Sequence, residues 1–170
     1  MAALKRAGGG TLLFPSGKTY LTGAFNISSN TRVQIERGAM VLGSTRGQDW
    51  PVVVAAKVLY LPAAYDVNKV DNFHFQVWPQ FGHGSDCIPG DPTCRLMHQS
   101  LLFGWNLRNI SIGGGGSFNC NSQEQTWWGC AKNLAAPPCS GAGRPHCMML
   151  ANVTDVDVSF LNVSNRCALG

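Results

Sequence analysis

The stretch Leu101-Leu-Phe-Gly-Trp-Asn-Leu-Arg-Asn-Ile-Ser-Ile-Gly-Gly-Gly-Gly-Ser-Phe118 decides the fold, because the chain repeats it. Its echo runs from Cys147 to Phe160, CMMLANVTDVDVSF. A shift of 46 residues (152 − 106) sets Asn106 on Asn152, Ile110 on Val156 and Ile112 on Val158. A looser third copy, Asn30-Thr-Arg-Val-Gln-Ile35, again leads from an Asn into alternating β-branched residues. In each copy apolar and polar residues alternate, which is the period of a half-buried strand. A short strand with one apolar face cannot bury that face alone. Stacked turns of a coil bury it as one continuous core. The expectation is an all-β solenoid in which Val156 and Val158 face the core.

Outward from this stretch the chain is short strands punctuated by turns. Ala2 to Ala7 reads as the last turn or two of a helix, ended by Gly8-Gly-Gly10. Thr11–Phe14, Thr19–Leu21, Phe25–Ile27, Arg32–Ile35 and Gly38–Gly43 read as strands, with a turn at Pro15-Ser-Gly-Lys18. No helical period of about 10 residues or more appears, which favours an all-β repeat over an α/β sheet. Val52–Ala56 and Val58–Leu61 are weaker strand candidates, broken by Pro51 and Pro62. The whole of 1–170 reads as one partial β-helix domain with irregular excursions at about 67–95 and 119–145. Such excursions between repeats collect on one face, often the binding face.

Composition narrows the class. The chain has 170 residues, enough for one domain with a real core, and its 45% hydrophobic content is that of a globular chain. The formal net charge of +4 tolerates an acidic polymer, yet no Lys/Arg run marks nucleic-acid binding. No apolar stretch approaches the roughly 20 residues of a membrane span. Seven cysteines (87, 94, 120, 130, 139, 147, 167) include no Cys-x-x-Cys pair, so disulfides in an oxidising compartment are favoured over zinc. Met1 to Gly8 lacks the apolar core of a secretory signal, so either the protein stays inside the cell or its natural N-terminus lies upstream; the cysteines favour the second. Four sequons stand at Asn26, Asn109, Asn152 and Asn162, and they are compatible with export. At Asn109 and Asn152 the Asn opens a strand, where its amide is expected to bond a turn in an Asx arrangement.

Several landmarks occur together and in order. They are Gly8-Gly-Gly-Thr-Leu-Leu-Phe-Pro-Ser-Gly-Lys18, Tyr20-Leu-Thr-Gly23, Glu36-Arg-Gly-Ala-Met-Val-Leu-Gly-Ser-Thr45, Asp49-Trp-Pro51, Leu101–Ile112, Gly114–Asn119, Trp127-Trp128 and Arg144-Pro-His146. This series resembles the opening coils of polygalacturonase-like proteins, the pectin-cleaving glycoside hydrolases of family 28. The resemblance covers most of the chain apart from an insert between about Val67 and Cys94. It implies a right-handed parallel β-helix, incomplete at both ends. It implies hydrolysis of linkages between galacturonate units with inversion, by paired carboxylates and without a metal or organic cofactor. The expected partner is a galacturonate-rich polysaccharide, with no nucleic acid and no membrane. The expected location of the full-length protein is secreted or cell-wall, and its expected state a monomer.

The departures matter as much. The family's Asn-x-Asp, Asp-Asp, Gly-His-Gly and Arg-x-Lys motifs come after the point this chain reaches, so no catalytic residue is expected within it. The segment is expected to be an N-terminal fragment, inactive by itself. Asn119-Cys120 stands where the family usually has Asp-Gly. Gly82-His83-Gly84 imitates one of the motifs but precedes the Leu101 coil, and it reads as a loop histidine. Asp155 and Asp157 lie two apart on a strand, roughly 6.5–7 Å, a spacing that would suit an inverting pair; ordinary amphipathic alternation explains them as a solvated face.

Four residues remain as candidates to bind substrate. Trp127 and Trp128 would stack on sugar rings, the alternative being packing of the loop. Arg144 and His146 would meet a uronate carboxylate, the alternative being a structural pair. A different class of function also fits, a non-catalytic β-helix that binds cell-wall polysaccharide. A β-helical lyase would want calcium held by clustered acids, and nine acidic residues scattered along the chain offer none.

Overall fold

The computed structural model describes residues 2–54, 56–57, 76–77, 96–123, 125–129, 133, 135, 137–140 and 142–164. Helix α1 (Ala2–Arg6) leads into strands β1 (Gly10–Phe14), β2 (Thr19–Thr22), β3 (Phe25–Asn26), β4 (Thr31–Ile35) and β5 (Met40–Gly43). A 3-10 turn at Gly47–Asp49 precedes β6 (Val52–Val54), β7 (Ala56–Lys57), β8 (Gln76–Val77) and β9 (Leu96–His98). The last strands are β10 (Leu102–Gly113), β11 (Ser117–Asn119), β12 (Met148–Val158) and β13 (Asn162–Ser164).

Two parallel sheets carry the fold. One runs β1-β4-β10-β12, with β3 beside the start of β10, and the other runs β2-β5-β11-β13. Chain order climbs through both sheets together, so each coil contributes one strand to each: a right-handed parallel β-helix. The shortest coil advances 21 residues (31 − 10), since Gly10 lies beside Thr31 and Thr19 beside Met40. The 46-residue echo is such a coil plus an excursion, and the register obeys it, with Ile110 beside Val156 and Ile112 beside Val158. Strands β6 and β9 pair antiparallel in a two-stranded sheet of their own.

Alternation in the sequence becomes stacking in the core. Leu12, Val33, Ile112 and Val158 stand in one ladder. Tyr20, Val41, Phe118 and Val163 form the facing ladder. The inner rungs Val33, Ile112, Val41 and Phe118 are each 0% exposed. The outer rung differs from expectation. Val156 and Val158 keep the core-facing register yet are 39% and 48% exposed. Ile110 and Ile112 are covered by β4 on one side and β12 on the other, whereas no described strand lies beyond β12.

The long strands are bent rather than straight. Asn30, Asn109 and Asp155 all have left-handed backbone, φ 58°, 56° and 55°. The register sets these three level, because Thr31 lies beside Ile110 and Ile110 beside Val156. Asn106 and Asn152 form a second left-handed pair, φ 54° and 50°. Asparagine and aspartate tolerate this conformation better than other non-glycine residues. At both levels the amides bond across coils: Asn109 Nδ2 donates to Asn30 Oδ1 at 3.1 Å, and Asn152 Nδ2 to Asn106 Oδ1 at 3.0 Å. The expected Asx turns at Asn109 and Asn152 are therefore inter-coil rungs instead.

Candidate functional site

The excursion from β11 to β12 is fastened at its base. Cys120 directly follows β11 and Cys147 directly precedes β12, and the two form a disulfide with Cα atoms 5.5 Å apart. Cys139, inside the excursion, is disulfide-bonded too. Cys87, Cys94, Cys130 and Cys167 lie outside the described residues, as does the Gly82-His83-Gly84 triplet.

The two tryptophans of this excursion part company. Trp127 is 0% exposed and lies in the core. Its ring meets Trp50 edge-on at 5.3 Å and His98 at 4.9 Å. Its indole N–H donates to the Ser44 carbonyl at 3.3 Å, and the Trp50 indole donates to the same oxygen at 3.0 Å. A ring buried in this way matches the loop-packing alternative weighed for Trp127 beside sugar stacking. Trp128 is 36% exposed, and the Arg144 guanidinium sits over its ring, 4.6 Å from the centroid. A cation over an indole face gains from the ring quadrupole.

His146 is 8% exposed, and its Nε2 is buried without a hydrogen-bond partner among the described residues. Burial pushes its pKa below the ordinary imidazole value, and the Arg144 charge lowers it further. Its backbone carbonyl accepts from Leu101 N–H at 3.0 Å, which ties this segment to the entry of β10. Of the four candidates, then, the partly exposed Trp128 and the half-buried Arg144 are in contact, while Trp127 and His146 are buried.

A histidine held neutral by burial makes stability depend on pH. Between its folded value and about 6.5 the unfolded chain binds more protons than the folded one. The contribution is complete above about 6.5 and is lost as pH falls through that window. The thermal midpoint is expected to drop between about pH 7.5 and 5, and less so in His146→Gln. Coincident slopes for the two proteins would show that His146 is not the titrating group.

Sequence reasoning passed over two residues that organise this region. His98 is buried between the Trp50 and Cys139 carbonyls, its ring nitrogens 3.2 and 3.1 Å from them. Ser44 offers the shared carbonyl, and its hydroxyl bonds the Asp49 carboxylate, which also takes a 2.9 Å bond from Arg46. The Ser44 bond is the main cause that holds the Asp49 pKa below the ordinary carboxylate value. No spacing pattern marks either residue: His98 bonds carbonyls 48 and 41 positions away, and Ser44 accepts both indoles through its own backbone carbonyl, a group every residue carries.

The described acidic residues form no catalytic constellation. Asp155 and Asp157 are both exposed, but the left-handed backbone at Asp155 interrupts the alternation that would set them on one side. Asp157 instead accepts from the Ser159 hydroxyl at 3.2 Å. Among the described residues no three His, Cys, Asp or Glu side chains converge as metal ligands, and no helix is long and apolar enough to cross a membrane.

A parallel β-helix with irregular excursions between coils is an architecture that hosts several chemistries, so comparison with known proteins decides the class. No family model matches the chain. A probable polygalacturonase of Vitis vinifera is 27% identical over 163 residues, covering 93% of this chain. The chain spans only about a quarter of that relative's length, 25%. In fold it matches a hyperthermoactive exopolygalacturonase of Thermotoga maritima, with a TM-score of 0.60 over 98% of this chain and 36% of the other, at 15% identity. A family 28 exopolygalacturonase of Yersinia enterocolitica gives 0.57 over 98% and 32%, at 18% identity. The chain is polygalacturonase-like in sequence, as its ordered landmarks indicate, and a parallel β-helix of the polygalacturonase type in fold.

Proposed function

We propose that these residues form coils of a pectin-degrading glycoside hydrolase whose catalytic carboxylates are not among them. The observation that carries the reading is the sequence likeness to a polygalacturonase across nearly the whole chain. The reaction is hydrolysis of galacturonate linkages with inversion, one carboxylic acid protonating the leaving oxygen while carboxylates activate water. The substrate is an acidic polysaccharide, and the protein works outside the cell as a monomer. In this chain the exposed Trp128 ring and the Arg144 guanidinium line the path of the polymer. Trp128 offers a flat apolar face to a sugar ring, and Arg144 matches the geometry of a uronate carboxylate.

Affinity electrophoresis through polygalacturonate, together with reducing-end release, tests both halves of this reading. The 170-residue chain is expected to be retarded by the polymer yet to release no reducing ends. Trp128→Ala and Arg144→Gln are each expected to weaken retardation several-fold, since exposed stacking and cation contacts are worth about 1 kcal/mol. Release of reducing ends would place catalytic residues within the chain after all. Unchanged retardation in both variants would remove them from the binding path.

A further inference from the structure

The four sequons are equivalent in sequence and different in structure. Three of them hold their carboxamides in hydrogen bonds between parts of the chain far apart in sequence. Asn26 Oδ1 accepts from Gln99 Nε2 at 2.6 Å. Asn109 Nδ2 donates to Asn30 Oδ1, and Asn152 Nδ2 donates to Asn106 Oδ1. The bond at Asn152 joins two residues 46 apart, and that at Asn109 two residues 79 apart. Asn109 is also an inner rung, level with Asn30 on one side and Asp155 on the other. Neighbouring strands stand only about 4.8 Å apart, which leaves no room for a pyranose on that nitrogen between rungs.

Asn162 differs from the other three. All four are exposed, so exposure does not separate them; Asn162 stands at the start of β13, where Val163 carries the core-facing register beside Phe118. Residues along a strand alternate in direction, so Asn162 points outward. Its backbone N–H donates to the Gly116 carbonyl at 3.1 Å, which fixes the main chain, and among the described residues no hydrogen bond reaches its carboxamide. The Cys120–Cys147 disulfide fits folding in an oxidising compartment, where N-linked sugar is added.

We infer that Asn162 is an N-glycosylation site of this chain, and that Asn109 and Asn152, whose amide nitrogens are engaged between coils, stay bare in the folded protein. The amide nitrogen of Asn162 forms the bond to the first sugar and loses one hydrogen, with the lipid-linked donor's diphosphate as leaving group. A sugar at Asn109 or Asn152 would displace a rung and hold the coils apart, so such chains would not reach the folded, secreted pool.

The test is expression of the full chain behind a secretion signal in a eukaryotic host. Secreted material is treated with an endoglycosidase that leaves one sugar behind and is then mapped by peptide mass spectrometry. The expected result is a tag at Asn162 with none at Asn109 or Asn152, and loss of the Asn162 tag in both Asn162→Gln and Ser164→Ala. The second variant removes the sequon while keeping the asparagine, so a folding defect at Asn162 cannot imitate the result. A tag at Asn109 or Asn152 overturns the inference, as does secreted protein without a tag at Asn162.

Discussion

Gly114→Ala is expected to destabilise the solenoid by about 4 kcal/mol, while the same change at the next residue, Gly115→Ala, costs about 1 kcal/mol. Both glycines have left-handed φ, 114° and 86°. They sit in the tight corner between β10 and β11, where the chain must turn from one sheet to the other within three residues, 114–116. A Cβ at Gly115 would meet nothing nearer than the Arg37 side chain at 3.6 Å, so only the backbone term applies. One at Gly114 would lie 2.5 Å from the Ile35 carbonyl oxygen and 3.0 Å from the Ile35 nitrogen. That oxygen is already used, since Gly116 N–H donates to it at 2.9 Å. The clash is with the backbone of a fully buried rung, which cannot step aside without dragging β4 out of the core. Urea unfolding of the two variants side by side checks the contrast. Equal losses would mean that the coils are spaced loosely enough to absorb a methyl group.

The same corner shows why the fold was legible in the sequence. The Gly-rich run after Ile112, the alternation before it and the 46-residue echo are one physical statement: a strand, a corner and a strand, stacked on a copy of itself. What alternation could not show is where the strands bend. Asn109 and Asn152 read as openers of a strand with a turn to bond and Asp155 as part of a solvated face, yet these three and Asn106 each take a left-handed backbone. Their partners are fixed by coil stacking, which sequence spacing reveals only once the lengths of the excursions are known. The loose copy at Asn30 illustrates this: its asparagine falls level with Asn109, not with Asn106. The candidate site was legible only in part, for the same reason. The excursion containing Trp127, Trp128, Arg144 and His146 was visible as irregular sequence. Which of two adjacent tryptophans turns inward depends on Trp50 and His98, residues 77 and 29 positions away (127 − 50 and 127 − 98).

That division makes Trp127→Ala the sharper of the two tryptophan substitutions, with an expected loss of about 4 kcal/mol. The ring is fully buried and packs edge-on against Trp50 and His98. Its removal leaves a cavity where the excursion is pinned to the solenoid, bounded by aromatic faces that cannot collapse onto one another. The hydrogen bond adds little to the loss, because Trp50 still donates to the Ser44 carbonyl. Trp127→Phe keeps most of the edge contacts and is expected to cost only about 1.5 kcal/mol. Trp128→Ala should fall within about 1 kcal/mol of the parent, since it removes a partly exposed ring and one cation contact. The effects on polymer binding run the other way. Trp128→Ala weakens retardation by polygalacturonate in a protein that remains fully folded. Trp127→Ala leaves retardation intact at temperatures where the variant is still folded, because its ring never meets the polymer. Denaturant midpoints measured beside affinity electrophoresis separate the two roles. A Trp127→Ala protein as stable as the parent but unable to bind would put the inner ring, and not the outer one, on the substrate.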